Sequence, residues 1–275
     1  VREALAQMTR QSAQAHLLAL AERLFRLPEC LRLEIRQVTI RREDWAQPDT
    51  RERLVEEAMD ASWHDAYSDI DMTIRVREIR QQPLDWLRRA GVDETHCLGF
   101  FAVPESGACR VVFRDGHRYD LSIAPQTAPR QPLPVVDNPE HPHWPRAAVN
   151  RFWFVQVQAL GKLYRQDYLI ARHLAHMQLN ETLVQQMVLR DLRLGTNHHR
   201  YGGKEAAVYQ QYAGQNPLGT GEAAFDEIAS QLYCAAQAYD ELTRAFYPDE
   251  AARTPVYLNI WQQYEQHRLE NQRTE

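Results

Sequence analysis

Apolar and polar residues alternate most regularly between Ala66 and Val76. There Ile70, Met72, Ile74 and Val76 are separated by Asp71, Thr73 and Arg75. A period of two predicts a strand with one apolar face. Upstream, Ala13 to Phe25 has helical spacing, with Leu17, Leu18, Leu20, Leu24 and Phe25 apolar and Pro28 just beyond. Leu31 to Ile40 predicts a strand that turns Leu33, Ile35 and Val38 inward, and Arg51 to Met59 predicts a helix. Downstream, Leu84 to Ala90 predicts a short helix stopped by Gly91. Leu98–Val103, Arg110–Phe113 and Arg118–Ile123 predict a meander, its last two strands joined by a two-residue Asp115-Gly116 turn.

The pattern changes after residue 125. Pro129, Pro132, Pro134, Pro139, Pro142 and Pro145 mark a linker. Beyond it, Val149, Phe152, Trp153, Val157, Leu160, Leu163 and Tyr164 recur in steps of three and four. Further helices are predicted over Leu179–Leu194, ending near Gly195, over Glu222–Phe246 and over Val256–Leu269. Residues 197–204 read as a polar loop containing glycine. The expected fold class is therefore α/β of the α+β kind. A mixed-sheet domain over 1–145 precedes a helical bundle over 146–275.

Composition narrows the function classes. The 275 residues are 44% hydrophobic and 25% charged, with a net charge of −5. That balance argues against a general nucleic-acid binder and suits a cationic substrate. Cys30, Cys97, Cys109 and Cys234 are widely spaced. No Cys-x-x-Cys occurs, which argues against a zinc site, and a reducing cytoplasmic location is expected. No run of eighteen apolar residues and no signal pattern appears, so neither a membrane span nor secretion is expected. His141 and His143 read as solvated loop residues. The adjacent His198 and His199 would not face one metal together on regular structure.

The candidate chemistry lies on the first strand. Its period places Asp69 and Asp71 on the face opposite the apolar one, roughly 6–7 Å apart. Side-by-side carboxylates repel unless a cation lies between them. A hard divalent cation takes such oxygens and shares its other positions with water and phosphates. Asp120, on the polar face of the strand after the Asp115-Gly116 turn, would complete a three-carboxylate cluster. Such clusters serve phosphoryl or nucleotidyl transfer. The Asp-x-Asp pair taken alone also fits an ordinary solvated strand face.

Several segments in series resemble one family. Ser68-Asp-Ile-Asp71 resembles the strand signature of the polymerase-β-like nucleotidyltransferase superfamily. Asp115-Gly-His-Arg-Tyr-Asp-Leu121 resembles a segment of the streptomycin (aminoglycoside 6-) adenylyltransferases. Asn150-Arg-Phe-Trp-Phe154, Ala159-Leu-Gly-Lys-Leu-Tyr-Arg-Gln-Asp167 and Gly202-Gly-Lys204 follow in the same order as that family's helical-domain elements. The resemblance implies an N-terminal nucleotidyltransferase domain that binds ATP and Mg²⁺ and moves AMP to a hydroxyl of a small molecule such as an aminoglycoside. It implies Asp69 and Asp71 as metal ligands and Asp120 as third ligand or proton acceptor. Lys162 would contact phosphate, with Ser62, Ser68, Arg118, Arg165 and Lys204 as further nucleotide contacts. The chain departs from the pattern in one place. The usual Gly-Ser before the first aspartate is absent, and Ala61-Ser62 is the nearest substitute. Two other expectations therefore stand beside the first: another hydroxyl acceptor, or a non-catalytic nucleotide-binding regulatory module.

Overall fold

The computed structural model describes residues 2–62, 67, 69–77, 83–93, 95–103, 108–126, 146–195 and 222–272. Within them the fold is mixed α+β, with a six-stranded sheet and eight helices. In chain order these are α1 (Arg2–Phe25), β1 (Cys30–Ile35), β2 (Val38–Arg41), α2 (Arg42–Trp45), α3 (Pro48–Ser62), β3 (Ile70–Val76), α4 (Pro83–Arg89), β4 (Cys97–Val103), β5 (Ala108–Phe113) and β6 (Arg118–Pro125). Then follow α5 (Arg146–Tyr164), α6 (Tyr168–Leu194), α7 (Glu222–Phe246) and α8 (Thr254–Gln272). The chain divides into two compact units. One is residues 1–137 with 263–275, the other residues 138–262.

In the first unit the strand order is β2-β1-β3-β6-β5-β4. All neighbours are antiparallel except β3 and β6, which run parallel. The alternation in β3 has its physical cause here. Ile70, Met72, Ile74 and Val76 are buried in one core with Leu17, Leu20 and Leu24 of α1 and Val55, Ala58 and Met59 of α3. Asp71 is exposed and Thr73 and Arg75 are half-buried on the other face. That face pairs its own charges: Arg75 Nε donates to Glu34 Oε2 at 2.8 Å, and Arg32 lies 3.0 Å from the same carboxylate.

Three local features differ from the sequence expectation. The single strand expected over Leu31–Ile40 is a hairpin, because Arg36 takes a left-handed conformation (φ 52°) and folds β2 back on β1. Helix α6 begins eleven residues earlier than its apolar spacing suggests, at Tyr168 rather than Leu179. The β5–β6 turn holds three residues. Gly116 N–H bonds to Phe113 O at 3.0 Å, and Phe113 N–H bonds to His117 O at 2.9 Å. Gly116 sits at φ 92°, a glycine-favouring value that forms a bulge after the first turn. Gly91 ends α4 as expected: at φ 74° it lets Val92 N–H reach Leu87 O while its own N–H reaches Arg88 O.

The second unit is helical. Small residues Ala159, Ala171 and Ala175 let α5 and α6 pack closely beside Ile228 and Leu232 of α7. Buried glutamines tie the helices together: Gln156 donates to Leu232 O and Gln178 to Phe152 O, both at 2.8 Å. The Asp240 carboxylate accepts the backbone N–H groups of Arg253 and Thr254, each at 3.1 Å. It thereby satisfies donors at the start of α8 that have no intrahelical partner. Nearby, Arg253 donates to Asn150 Oδ1 at 2.7 Å and to Glu250, which also accepts from Arg146.

That network generates a prediction. Burial alone would raise the Glu250 carboxyl, but Arg253 and Arg146 outweigh it and hold it below its ordinary value of 4.5. A depressed carboxyl stabilises the fold above its unfolded value, and the gain is lost as pH falls through the folded one. Glu250→Gln should cost about 2 kcal/mol at pH 7. The gap to wild type should narrow below pH 4.5, as read by urea unfolding across pH; a gap independent of pH would refute the assignment.

Candidate active site

Parallel pairing of β3 with β6 aligns Ile70 with Tyr119, Asp71 with Asp120, Met72 with Leu121 and Thr73 with Ser122. Residues in register point to the same face. Asp71 and Asp120 are therefore neighbours on the polar side of the sheet. Asp69, half-buried, lies immediately before β3. Burial pushes Asp120 above the ordinary carboxylate range, and the charges of Asp69 and Asp71 push the same way against the pull of Arg110.

Asp120 is held unequally at its two oxygens. Arg110, its partner in the β5–β6 register, donates from Nε to Oδ2 at 3.2 Å. Oδ1 is buried with no hydrogen bond. An unsatisfied buried carboxylate oxygen costs about 1–3 kcal/mol. Together with two adjacent acids, it matches the donor set of a hard, oxygen-seeking cation.

Arg118 has a different setting. It is buried, and its guanidinium donates to the carbonyl of Tyr67. Arg118 opens β6 two residues before Asp120, and Tyr67 lies two residues before Asp69. The bond thus ties together the two chain segments that carry the acids. The Tyr67 ring packs edge-on against Tyr264, with centroids 4.8 Å apart.

The remaining candidates are spread along the chain. Ser62 ends α3. Lys162, half-buried on α5, lies 3.4 Å from Asp167 Oδ2. Arg165 follows α5, its backbone N–H bonded to Gly161 O. Ser68, Lys204, the proline-rich stretch from residue 127 to 145 and the loop from 197 to 204 lie outside the described residues.

A second cluster was not expected from the sequence. His16 of α1, Asp115 of the β5–β6 turn and His117 come together, with their candidate ligating atoms all within 4.8 Å of one another. His16 lies about a hundred residues from its partners, so spacing could not reveal the contact. A signal was nonetheless present: His16 lies one turn before Leu20 and two before Leu24, on the apolar stripe of α1. None of the four cysteines forms a disulfide, and no helix among the described residues is long and apolar enough to cross a membrane.

The three-carboxylate geometry makes a stability prediction separate from activity. Without divalent cations, Asp71→Asn should stabilise the protein by about 0.5 kcal/mol, because it removes a like charge beside Asp120. Thermal unfolding with EDTA and then with excess Mg²⁺ would check this. Stabilisation that is absent in EDTA, or that Mg²⁺ leaves unchanged, would argue against mutual repulsion relieved by a cation.

In comparisons with known proteins, no family model matches the chain and no curated relative is found.

Proposed function

We propose that the protein is a metal-dependent nucleotidyltransferase that moves AMP from Mg·ATP to a hydroxyl of a small molecule, with aminoglycosides as the acceptor class. The observation that carries this reading is the alignment of Asp71 with Asp120 across parallel strands, with Asp69 just before them. Its further support is the resemblance of the segments that bear these acids to the streptomycin adenylyltransferases.

Asp69 and Asp71 are the residues that would hold Mg²⁺. Bound there, the ion would neutralise charge on the triphosphate and on the departing pyrophosphate. Asp120 is the candidate base: its carboxylate would take the proton of the acceptor hydroxyl as the oxygen attacks the α-phosphorus. The new oxygen–phosphorus bond forms as the bond to the pyrophosphate oxygen breaks. Arg110 orients Asp120 through Oδ2 and leaves Oδ1 for the hydroxyl. Arg118 acts as a positioning residue through the Tyr67 carbonyl. Lys162 is the residue that the resemblance assigns to the triphosphate. The net charge of −5 favours encounter with a polycationic acceptor.

Pyrophosphate release from Mg·ATP, measured with and without streptomycin and other aminoglycosides, tests the reading. Acceptor-dependent release is expected, and Asp69→Asn or Asp71→Asn should reduce it by more than about a hundredfold. This loss should exceed that from removing an outer-shell partner of a metal ligand. Full activity in either variant would end the assignment. Mg²⁺-dependent ATP binding with no release for any acceptor would point instead to a nucleotide-binding regulatory module.

A further inference from the structure

The cluster of His16, Asp115 and His117 has the composition and spacing of a transition-metal site. We infer that these three residues bind a zinc-class divalent ion, in a second metal site built from α1 and the β5–β6 turn. The inference does not depend on the nucleotidyl-transfer reading.

Ligand spacing comes first. His117 Nδ1 lies 3.0 Å from Asp115 Oδ1, and His16 Nε2 lies 3.6 Å from Asp115 Oδ2. Zinc bonds to imidazole nitrogen and carboxylate oxygen at about 2.0–2.2 Å, so the edge of its tetrahedron is about 3.4 Å. The two contacts are made to different oxygens of one carboxylate, so Asp115 faces one imidazole with each oxygen, and the three candidate ligating atoms lie within 4.8 Å of one another. His117 Nδ1 is buried and makes no hydrogen bond despite its closeness to the carboxylate.

The surroundings fix the ligands as a metal site requires. His16 Nδ1 is 2.9 Å from Tyr119 Oη, which is buried. With Nδ1–H donated to that oxygen, Nε2 presents its lone pair towards Asp115. Ligating histidines are ordinarily held in this way through the other ring nitrogen. The turn supplies the rest. The bulge at Gly116 lets the His117 backbone N–H bond Asp115 Oδ1 at 3.2 Å, which fixes the carboxylate beside the second ring.

Two nitrogens and one oxygen leave the fourth position open. His16 and Asp115 line a cavity of about 380 Å³ that also takes in Arg23 and Arg114. A water or a small anionic oxygen ligand would complete the tetrahedron from that side. Imidazole ligands favour zinc over magnesium, which prefers an all-oxygen shell. This set uses no cysteine, so the absence of Cys-x-x-Cys does not bear on it.

The test is titration of the metal-stripped full chain with Zn²⁺ against a chromophoric chelator. It is paired with thermal unfolding and with Co²⁺ substitution. One ion per chain, an upward shift in Tm and the strong visible absorption of four-coordinate Co²⁺ are expected. Asp115→Asn and His117→Gln should each weaken Zn²⁺ at least about tenfold, and Tyr119→Phe, which removes only the hydroxyl behind His16, should also weaken it about tenfold. Asp115→Asn retains the side-chain oxygen that accepts the turn N–H, so it keeps the proposal testable if His117→Gln folds poorly. Asp69→Asn should bind Zn²⁺ as wild type does. No stoichiometric Zn²⁺ binding would overturn the proposal. So would unchanged affinity in both Asp115→Asn and His117→Gln, which would place the ion on other histidines of the chain.

Discussion

A parallel pair of strands cannot be closed by a tight turn, and this constraint organises the first unit. Strand β3 leaves the sheet at Val76, and the chain returns beside it only at Arg118. Between those points it builds α4 and the β4–β5 hairpin, so β6 enters with β5 already on its far side. Because the register is parallel, the beginnings of β3 and β6 lie together. That is where Asp69, Asp71 and Asp120 fall. An antiparallel pairing would set the start of one strand beside the end of the other and separate the acids.

The polar face of the sheet shows how charge is accommodated at that point. Further along β3, Glu34 is matched by Arg32 and Arg75. At the acidic end the matching is incomplete, since Arg110 reaches one oxygen of Asp120. A sheet selected for stability alone would not be expected to leave a buried carboxylate oxygen in this state.

Much of the fold was legible because periodicity records burial directly. The alternation in β3 and the helical stripe of α5 reappear as the buried faces of those elements. Gly91 and Gly195 ended their helices through left-handed caps, at φ 74° and 65°. What local pattern could not carry was conformation at single residues and pairing at long range. Arg36 is not a residue type that announces a left-handed turn, so one expected strand proved to be two. The proximity of Asp120 to Asp71 was inferred from a shared polar face and a resemblance, while the parallel register that produces it has no local signature. Arg118 was expected to contact nucleotide, and its bond to the Tyr67 carbonyl could be read only from the folded chain. His16 was hidden for a simpler reason: a lone histidine on an apolar helix face ordinarily signals a satisfied core residue.

The long return between β3 and β6 also bears on the order in which the fold assembles. The β1–β2 and β5–β6 hairpins close over a few residues. Joining Val76 to Arg118 closes a loop of about forty, with a length-dependent entropy cost of about 3 kcal/mol. Contacts of that separation are rewarded only when much apolar surface is buried at once. Here the surface belongs to Ile70, Met72 and Ile74 against Tyr119, Leu121 and Ile123, the same registered pairs that bring the acids together. The like charges therefore meet in the step that closes the core, and the hydrophobic gain of that step offsets their repulsion.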